Sequence, residues 1–227
     1  MLKHVLAPIH PDGWRFIAIF AVVTLVFFWM TPLLGWLGVI ATLWCVYFFR
    51  DPWRVSPLRE GLVLAPADGM VIALDEAPPP PELGLGGQSM RRIAIFMSML
   101  DVHVNRAPMA GRVAQLAYRD GKFLNASLDK ASLDNERMAI RLSTAMGDIG
   151  VVQIAGLVAR RIVTQLREGQ EVIAGQRIGL IRFGSRAEIY IPQSWAVLAV
   201  KGQRALGGET VLADARGSEP PRAATEH

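Results

Sequence analysis

Residues 16–49 contain no charged side chain, and this run limits what the chain can fold into more than any other feature. Coiled into one α-helix, a run of that length rises about 50 Å, whereas the hydrocarbon core of a bilayer is about 30 Å thick. One straight span is therefore disfavoured. Thr31-Pro32 and Gly35 offer a break near the middle, because proline removes a backbone donor and crowds the preceding turn. The run predicts two short helices, roughly residues 14–30 and 33–49, forming a hairpin or a re-entrant membrane anchor. Trp14, Trp36 and Trp53 fall at the ends and the turn, where interfacial indoles belong. Lys3 and Arg15 precede the run, and Arg50, Arg54 and Arg59 follow it, so the positive-inside rule puts both ends in the cytoplasm. A cleaved signal peptide would have a shorter apolar core and a small-x-small exit. A buried helical pair of a soluble protein is disfavoured by the same length argument.

The whole chain has 227 residues, enough for one domain and an appendage. Its net charge of +4 gives no reason to invoke nucleic acid. The one cysteine, Cys45, lies inside the apolar run, which excludes an internal disulfide and favours a buried neutral thiol. After Arg50 the texture changes. Short runs rich in valine, isoleucine and leucine alternate with turns, and strands are expected at residues 62–64, 71–74, 92–97, 112–118, 138–142, 150–154, 177–181 and 188–191. Residues 157–166 fit neither the helical nor the strand period. The expected fold class is mainly β: a barrel- or sandwich-like catalytic domain over residues 51–215, preceded by a helical membrane hairpin within residues 1–50. Residues 76–89 carry Pro78, Pro79, Pro80 and Pro81, then Gly84, Gly86 and Gly87, and read as a mobile surface loop. The polar tail, residues 216–227, reads as disordered.

Four constellations carry possible chemistry. His4, His10 and His227 lie outside the catalytic portion, which leaves His103, in Asp101-Val102-His103-Val104-Asn105-Arg106. As a strand, this segment would put Asp101, His103 and Asn105 on one face. No second histidine or cysteine is near it in the sequence, so no metal site is expected. Asp68, in Ala65-Pro66-Ala67-Asp68-Gly69, suits a plain turn and acquires a functional reading only if it faces His103. Asn135-Glu136-Arg137 reads as a polar turn with a solvated pair, and Gly121-Lys122-Phe123-Leu124-Asn125 as an ordinary loop. The fourth is Arg182-Phe183-Gly184-Ser185-Arg186, set between two strong strands. Glycine at 184 tolerates a strained φ and lets the serine hydroxyl approach the carbonyl that precedes it.

Taken in order, these motifs, with the anchor and Gln153-Ile154-Ala155-Gly156, resemble the phosphatidylserine decarboxylase proenzymes of the short bacterial and archaeal kind. The resemblance implies a carboxy-lyase that cuts itself between Gly184 and Ser185. Ser185 would attack the Gly184 carbonyl in an N-to-O acyl shift. Elimination would leave a dehydroalanine, and hydrolysis would then give a pyruvoyl group. The products would be a large β chain, residues 1–184, and a small α chain, residues 185–227, with the pyruvoyl cofactor derived from Ser185 at its head. That ketone would form a Schiff base with the amine of phosphatidylserine and take up the electrons released with CO₂, giving phosphatidylethanolamine. His103 becomes the proton donor, and Asp68 the support for self-cleavage. Arg106, Arg137 and Arg186 become candidates for the substrate's phosphate or carboxylate. The substrate implies a site at the cytoplasmic face of the cell membrane, and a higher oligomer is left open. Longer members of the family carry a second histidine where this chain has Arg106, and arginine is a poor general base. A full cleavage triad is therefore not assigned.

Two other classes compete. Residues 168–181 have the glycine-spaced texture of a biotinyl or lipoyl-type hammerhead, as in a membrane-anchored adaptor without catalysis. A carrier of that type would present a lysine in a Met-Lys-Met-like hairpin, and this sequence has none. A serine hydrolase would need a Gly-x-Ser-x-Gly elbow, which Gly184-Ser185-Arg186-Ala187 breaks.

Overall fold

A computed structural model describes residues 7–121, 135–156, 161–182, 185–220, 222, 223 and 225. Lys3, His4, Lys122, Phe123, Leu124, Asn125, residues 157–160, Phe183, Gly184 and His227 lie outside the described residues. The chain forms two compact units. One is Met1–Trp53 with Leu100–Val102, and the other is Arg54–Met99 with His103–His227.

The first unit is the expected helical pair, α1 (Gly13–Met30) and α2 (Pro32–Phe48). The break falls at Thr31, whose extended backbone (φ −154°) ends α1. Its hydroxyl accepts a hydrogen bond from the Leu34 amide at 3.3 Å and caps α2, with Pro32 in the first turn. Gly38 lets the helices approach closely, since a side chain there would come within 2.7 Å of Thr24 Oγ1. The Thr24 and Thr42 hydroxyls meet across the pair at 3.0 Å. At the open end the entering and leaving strands of chain are tied together. His10 N donates to the Phe49 carbonyl at 2.8 Å, and Asp51 N donates to the Pro8 carbonyl at 2.7 Å. The helix α1 has 18 residues and a mean hydropathy of 1.9, long and apolar enough to cross a membrane. Leu25, Trp29 and Leu33 are 70%, 90% and 73% exposed, an apolar surface that water does not favour.

The second unit is built of antiparallel strands. In chain order these are β1 (Leu62–Leu64), β2 (Gly69–Ala77), β3 (Met90–Met97), β4 (Val104–Arg106), β5 (Gly111–Arg119), β6 (Arg137–Thr144), β7 (Gly147–Ala155), β8 (Ile162–Thr164), β9 (Glu171–Val172), β10 (Arg177–Ile181), β11 (Ser185–Ile191), β12 (Ala196–Val197), β13 (Arg204–Ala205) and β14 (Val211–Asp214). An eight-stranded sheet, ordered β13-β2-β3-β11-β7-β6-β5-β9, curls into a half-barrel. Two three-stranded sheets, β4-β10-β8 and β1-β14-β12, complete the unit. Alternation along the central strands sends Ile93, Ile95, Val151, Ile140, Ala187 and Ile189 to the main core. The opposite face carries a smaller cluster of Leu83, Ala139, Val152, Ile154 and Tyr190.

Every expected strand is present, and most run further than their apolar cores suggested. The segment expected as a mobile surface loop carries one buried anchor. A 3₁₀ turn at Pro81–Leu83 drives the fully buried Leu83 onto β7, where Gly150 makes room for it. β1 and β14 are stapled by charge: Asp214 accepts from Arg59 at 2.5 Å and from the Arg216 amide at 2.9 Å. Burial raises the pKa of Asp214, but these bonds outweigh it and hold the carboxyl below its usual range. Because the folded value is the lower one, the stabilisation is complete above the unfolded carboxylate's value of about 3.9 and is lost as pH falls through the folded value. Asp214→Asn should therefore weaken the acid dependence of the denaturation midpoint below about pH 4 while moving it little with further rise in pH. Equal acid slopes for the two proteins in chemical denaturation series would refute this assignment.

Candidate active site

Ser185 is the first residue of β11, in the middle of the large sheet, with Met97 of β3 on one side and Ala155 of β7 on the other. It is fully buried. Its hydroxyl points at Met97 Sδ, 3.6 Å away. Asn105 Nδ2 reaches the same sulfur at 3.6 Å, and Asn105 Oδ1 accepts from Gln153 Nε2 at 2.6 Å. Gln153 lies opposite Ala187 on β11, so it shares the face of Ser185. Its Oε1 is buried with no partner among the described residues. A dry polar set of Ser185, Asn105 and Gln153 therefore meets around one methionine sulfur.

Neighbouring segments hold this set in place. Arg106 N donates to the Pro66 carbonyl at 2.8 Å, which fastens β4 to the bend carrying Asp68. That bend crosses β3 at Gly69, where φ is +148° and a side chain would lie 2.1 Å from the Phe96 carbonyl oxygen, so glycine is required. Asp68 is paired with Arg54 at 2.6 Å and accepts from the Gly207 amide at 2.8 Å. His103 is fully buried, and its carbonyl accepts from Ile181 N at 3.2 Å. This bond sets His103 beside the end of β10, from which the chain runs on towards Ser185. The expected common face of Asp101, His103 and Asn105 is not formed. The chain turns after β3 and becomes a strand only at Val104, and Asp101 belongs to the helical unit.

Asn135-Glu136-Arg137 also departs from expectation, because all three residues are buried rather than solvated. Asn135 Nδ2 donates to the Ala155 carbonyl at 2.7 Å, and Ala155 N donates to the Glu136 carbonyl at 2.9 Å. The pair clamps the residue that flanks Ser185. Glu136 Oε1 also takes the Ile162 amide at 3.2 Å.

The phosphatidylserine decarboxylase family model matches residues 41–213, from within α2 almost to the end of β14. The chain belongs to the phosphatidylserine decarboxylase family. Two relatives, from Beijerinckia indica subsp. indica and Cereibacter sphaeroides, are each named phosphatidylserine decarboxylase proenzyme. Each is 54% identical to this chain over 223 residues, which is 98% of this chain and 96% of the relative. Membership makes the chain a carboxy-lyase.

In this phosphatidylserine decarboxylase family member the three candidate arginines are all buried and engaged. Arg106 Nη1 donates to the Gly175 carbonyl at 2.9 Å. Arg186 lies 2.8 Å from Glu188, and strand alternation turns both away from the face of Ser185. Arg137 pairs with Glu82 on that same outer face. Burial raises the pKa of Glu82, but its bond with Arg137 wins and keeps the carboxyl below the usual range.

Met97 and Glu188 carry no signal in the sequence beyond strand texture, whereas Asn135 and Gln153 stand in motifs of the family resemblance that gave them no role. For Gln153 a signal was present, a lone amide inside Val151-Val152-Gln153-Ile154-Ala155. Asn135→Ala would leave the buried Ala155 carbonyl without its side-chain donor, at a cost of about 1–3 kcal/mol. Denaturant titration of Asn135→Ala in a Ser185→Ala background should show that loss. An unchanged midpoint would mean the clamp contributes nothing.

Proposed function

We propose that this protein is a phosphatidylserine decarboxylase that makes its own carbonyl cofactor by cutting the chain between Gly184 and Ser185. The observation that carries the reading is Ser185 itself. It stands at the head of a central strand, fully buried, and among the described residues its hydroxyl meets a weak acceptor, the Met97 sulfur. A hydroxyl so held is dry and lightly bonded, which suits attack on the carbonyl immediately before it. The C–N bond breaks as the ester forms. The acyl carboxylate then leaves with loss of the Ser185 α-proton, and water replaces the nitrogen, which departs as ammonia.

The resulting pyruvoyl ketone would supply an electron sink that no ordinary side chain offers. The protein's own groups do the rest. The Asn105–Gln153 amide pair presents donors and a free acceptor on the face of Ser185 and suits the polar head of an amino-acid ester. His103 is the candidate acid that returns a proton to the carbon losing CO₂. Asp68, paired with Arg54, serves the cleavage step by ordering the bend over β3. Among the arginines, Arg106 on β4 is the candidate for the substrate's phosphate, since Arg137 and Arg186 are turned to the outer face.

The helical unit completes the reading. An apolar hairpin flanked by Arg15 and Arg50 holds the enzyme at the cytoplasmic face of the membrane, where phosphatidylserine is concentrated in two dimensions. The mature enzyme is then a pair of chains, residues 1–184 and 185–227.

Intact-mass measurement tests this directly. Two chains divided at Gly184/Ser185 are expected, the smaller blocked at its N-terminus, and a single 24.9 kDa chain in an active preparation would end the proposal. Ser185→Ala should remain one inactive chain. His103→Ala should lose at least about 100-fold in decarboxylation, the usual contribution of a positioned acid. Cleavage that survives in His103→Ala would assign the two steps to different bases.

A further inference from the structure

β11 carries an ionic cluster on the face turned away from Ser185. Arg186, Glu188 and Tyr190 occupy alternate positions of the strand, and all are buried, Arg186 and Glu188 completely. Glu188 Oε1 lies 2.8 Å from Arg186 Nη2 and 3.6 Å from Arg92 Nη1 of β3. Glu188 Oε2 accepts from the Tyr190 hydroxyl at 2.7 Å. Arg92 passes the link on to β2 through two bonds to Asp75, at 2.8 and 2.5 Å. Burial, then the Glu188 charge, push the Tyr190 pKa well up, so its hydroxyl stays a neutral donor. Three adjacent strands are thus cross-linked by charge, starting at the residue next to Ser185.

Such a cluster is a poor way to gain stability, because apolar side chains of similar volume often do as well. What it provides is register. A one-residue slip of β11 would send Arg186 and Glu188 into the apolar core. Self-cleavage, on the reading above, creates a special need for register here. Before the cut, β11 is tethered through Arg182 to β10. Afterwards its first residue is a chain end, and chain ends fray at little cost.

We infer that Arg186, Glu188, Arg92 and Tyr190 form an anchor that holds the new N-terminal end of the small chain in the sheet, so that the reacting group at position 185 stays facing Asn105 and Gln153. These are positioning residues, acting from the back of the strand without touching substrate. The inference rests on cleavage at Gly184-Ser185, and its signature is a dependence on that cut.

The test compares Glu188→Gln in the cleaved enzyme and in the uncleaved Ser185→Ala background. Hydrogen exchange is followed for the amides of residues 186–191, and turnover is measured with phosphatidylserine in detergent micelles. In the cleaved enzyme, exchange should rise about tenfold or more, as expected when a buried charge loses its partner beside a free end, and kcat should fall with KM little changed. In the uncleaved background the rise should be several-fold smaller. Tyr190→Phe, a milder change, should shift both readouts in the same direction and serves if Glu188→Gln does not fold. Equal acceleration in the two backgrounds would reduce the cluster to ordinary packing and overturn the inference. A Glu188→Gln protein that never cleaves would also overturn it, by placing the cluster's role before the cut. An uncleaved wild-type chain would sink the processing reading instead, and mass measurement separates that outcome.

Discussion

The interaction on which the rest of the second unit depends is the pairing of β11 on both edges, with both of its faces buried. All seven residues of Ser185–Ile191 are buried, although every second one on the outer face is polar or charged. A strand in that position must have each buried polar group answered from a neighbour. Neighbouring strands supply partners from two directions. On the outer face Glu188 pairs with Arg186 of its own strand and with Arg92 of β3, and on the other face β3, β4 and β7 bring Met97, Asn105 and Gln153 towards Ser185. The clamp of Asn135 on Ala155, the glycine under the Asp68 bend and the tie between Arg106 and Pro66 all follow from keeping that strand in register.

The chemistry of the site follows from the same constraint. A serine in water is a weak nucleophile, and its hydroxyl is occupied by solvent. At the head of a doubly buried strand its hydroxyl, among the described residues, meets the Met97 thioether, with the Asn105 and Gln153 amides beyond it. The low dielectric also makes each remaining dipole count for more. On the proposed reading, amide side chains and backbone orient a small polar head against an electrophile the protein builds, and His103 supplies the proton.

Much of this was legible in the sequence. The break at Thr31-Pro32 in an uncharged run fixed the helical pair, because proline and bilayer thickness leave few alternatives. The long strands of the central sheet showed as apolar cores, and the order of the motifs pointed to the family to which the chain belongs. What escaped was of two kinds. β8, β9, β12, β13 and β14 span two to four residues each, too short for a period to register. Asn135-Glu136-Arg137 read as a solvated turn, and nothing marked Glu188 as buried, because local pattern tells which residues share a face, not whether another part of the chain covers it. That cover comes from residues far away in the sequence, such as Arg92 for Glu188 and Ala155 for Asn135. The hammerhead-like texture of residues 168–181 was real but local. The structure divides it between two sheets, with β9 at the edge of one and β10 in the middle of another.

The tied ends of the helical hairpin carry a consequence for how such a protein enters a bilayer. Ile9 and Arg50 form a β bridge, and the hydrogen bonds on either side of it close the hairpin at its base. On the proposed membrane reading the turn at Thr31-Pro32 leads into hydrocarbon, where Thr31 already spends its hydroxyl on the Leu34 amide and proline has no N–H to desolvate. No charge lies between residues 16 and 49 to resist entry. A hairpin closed at its base in this way would, on that reading, meet the lipid as a pre-formed wedge, with its backbone hydrogen bonds already made.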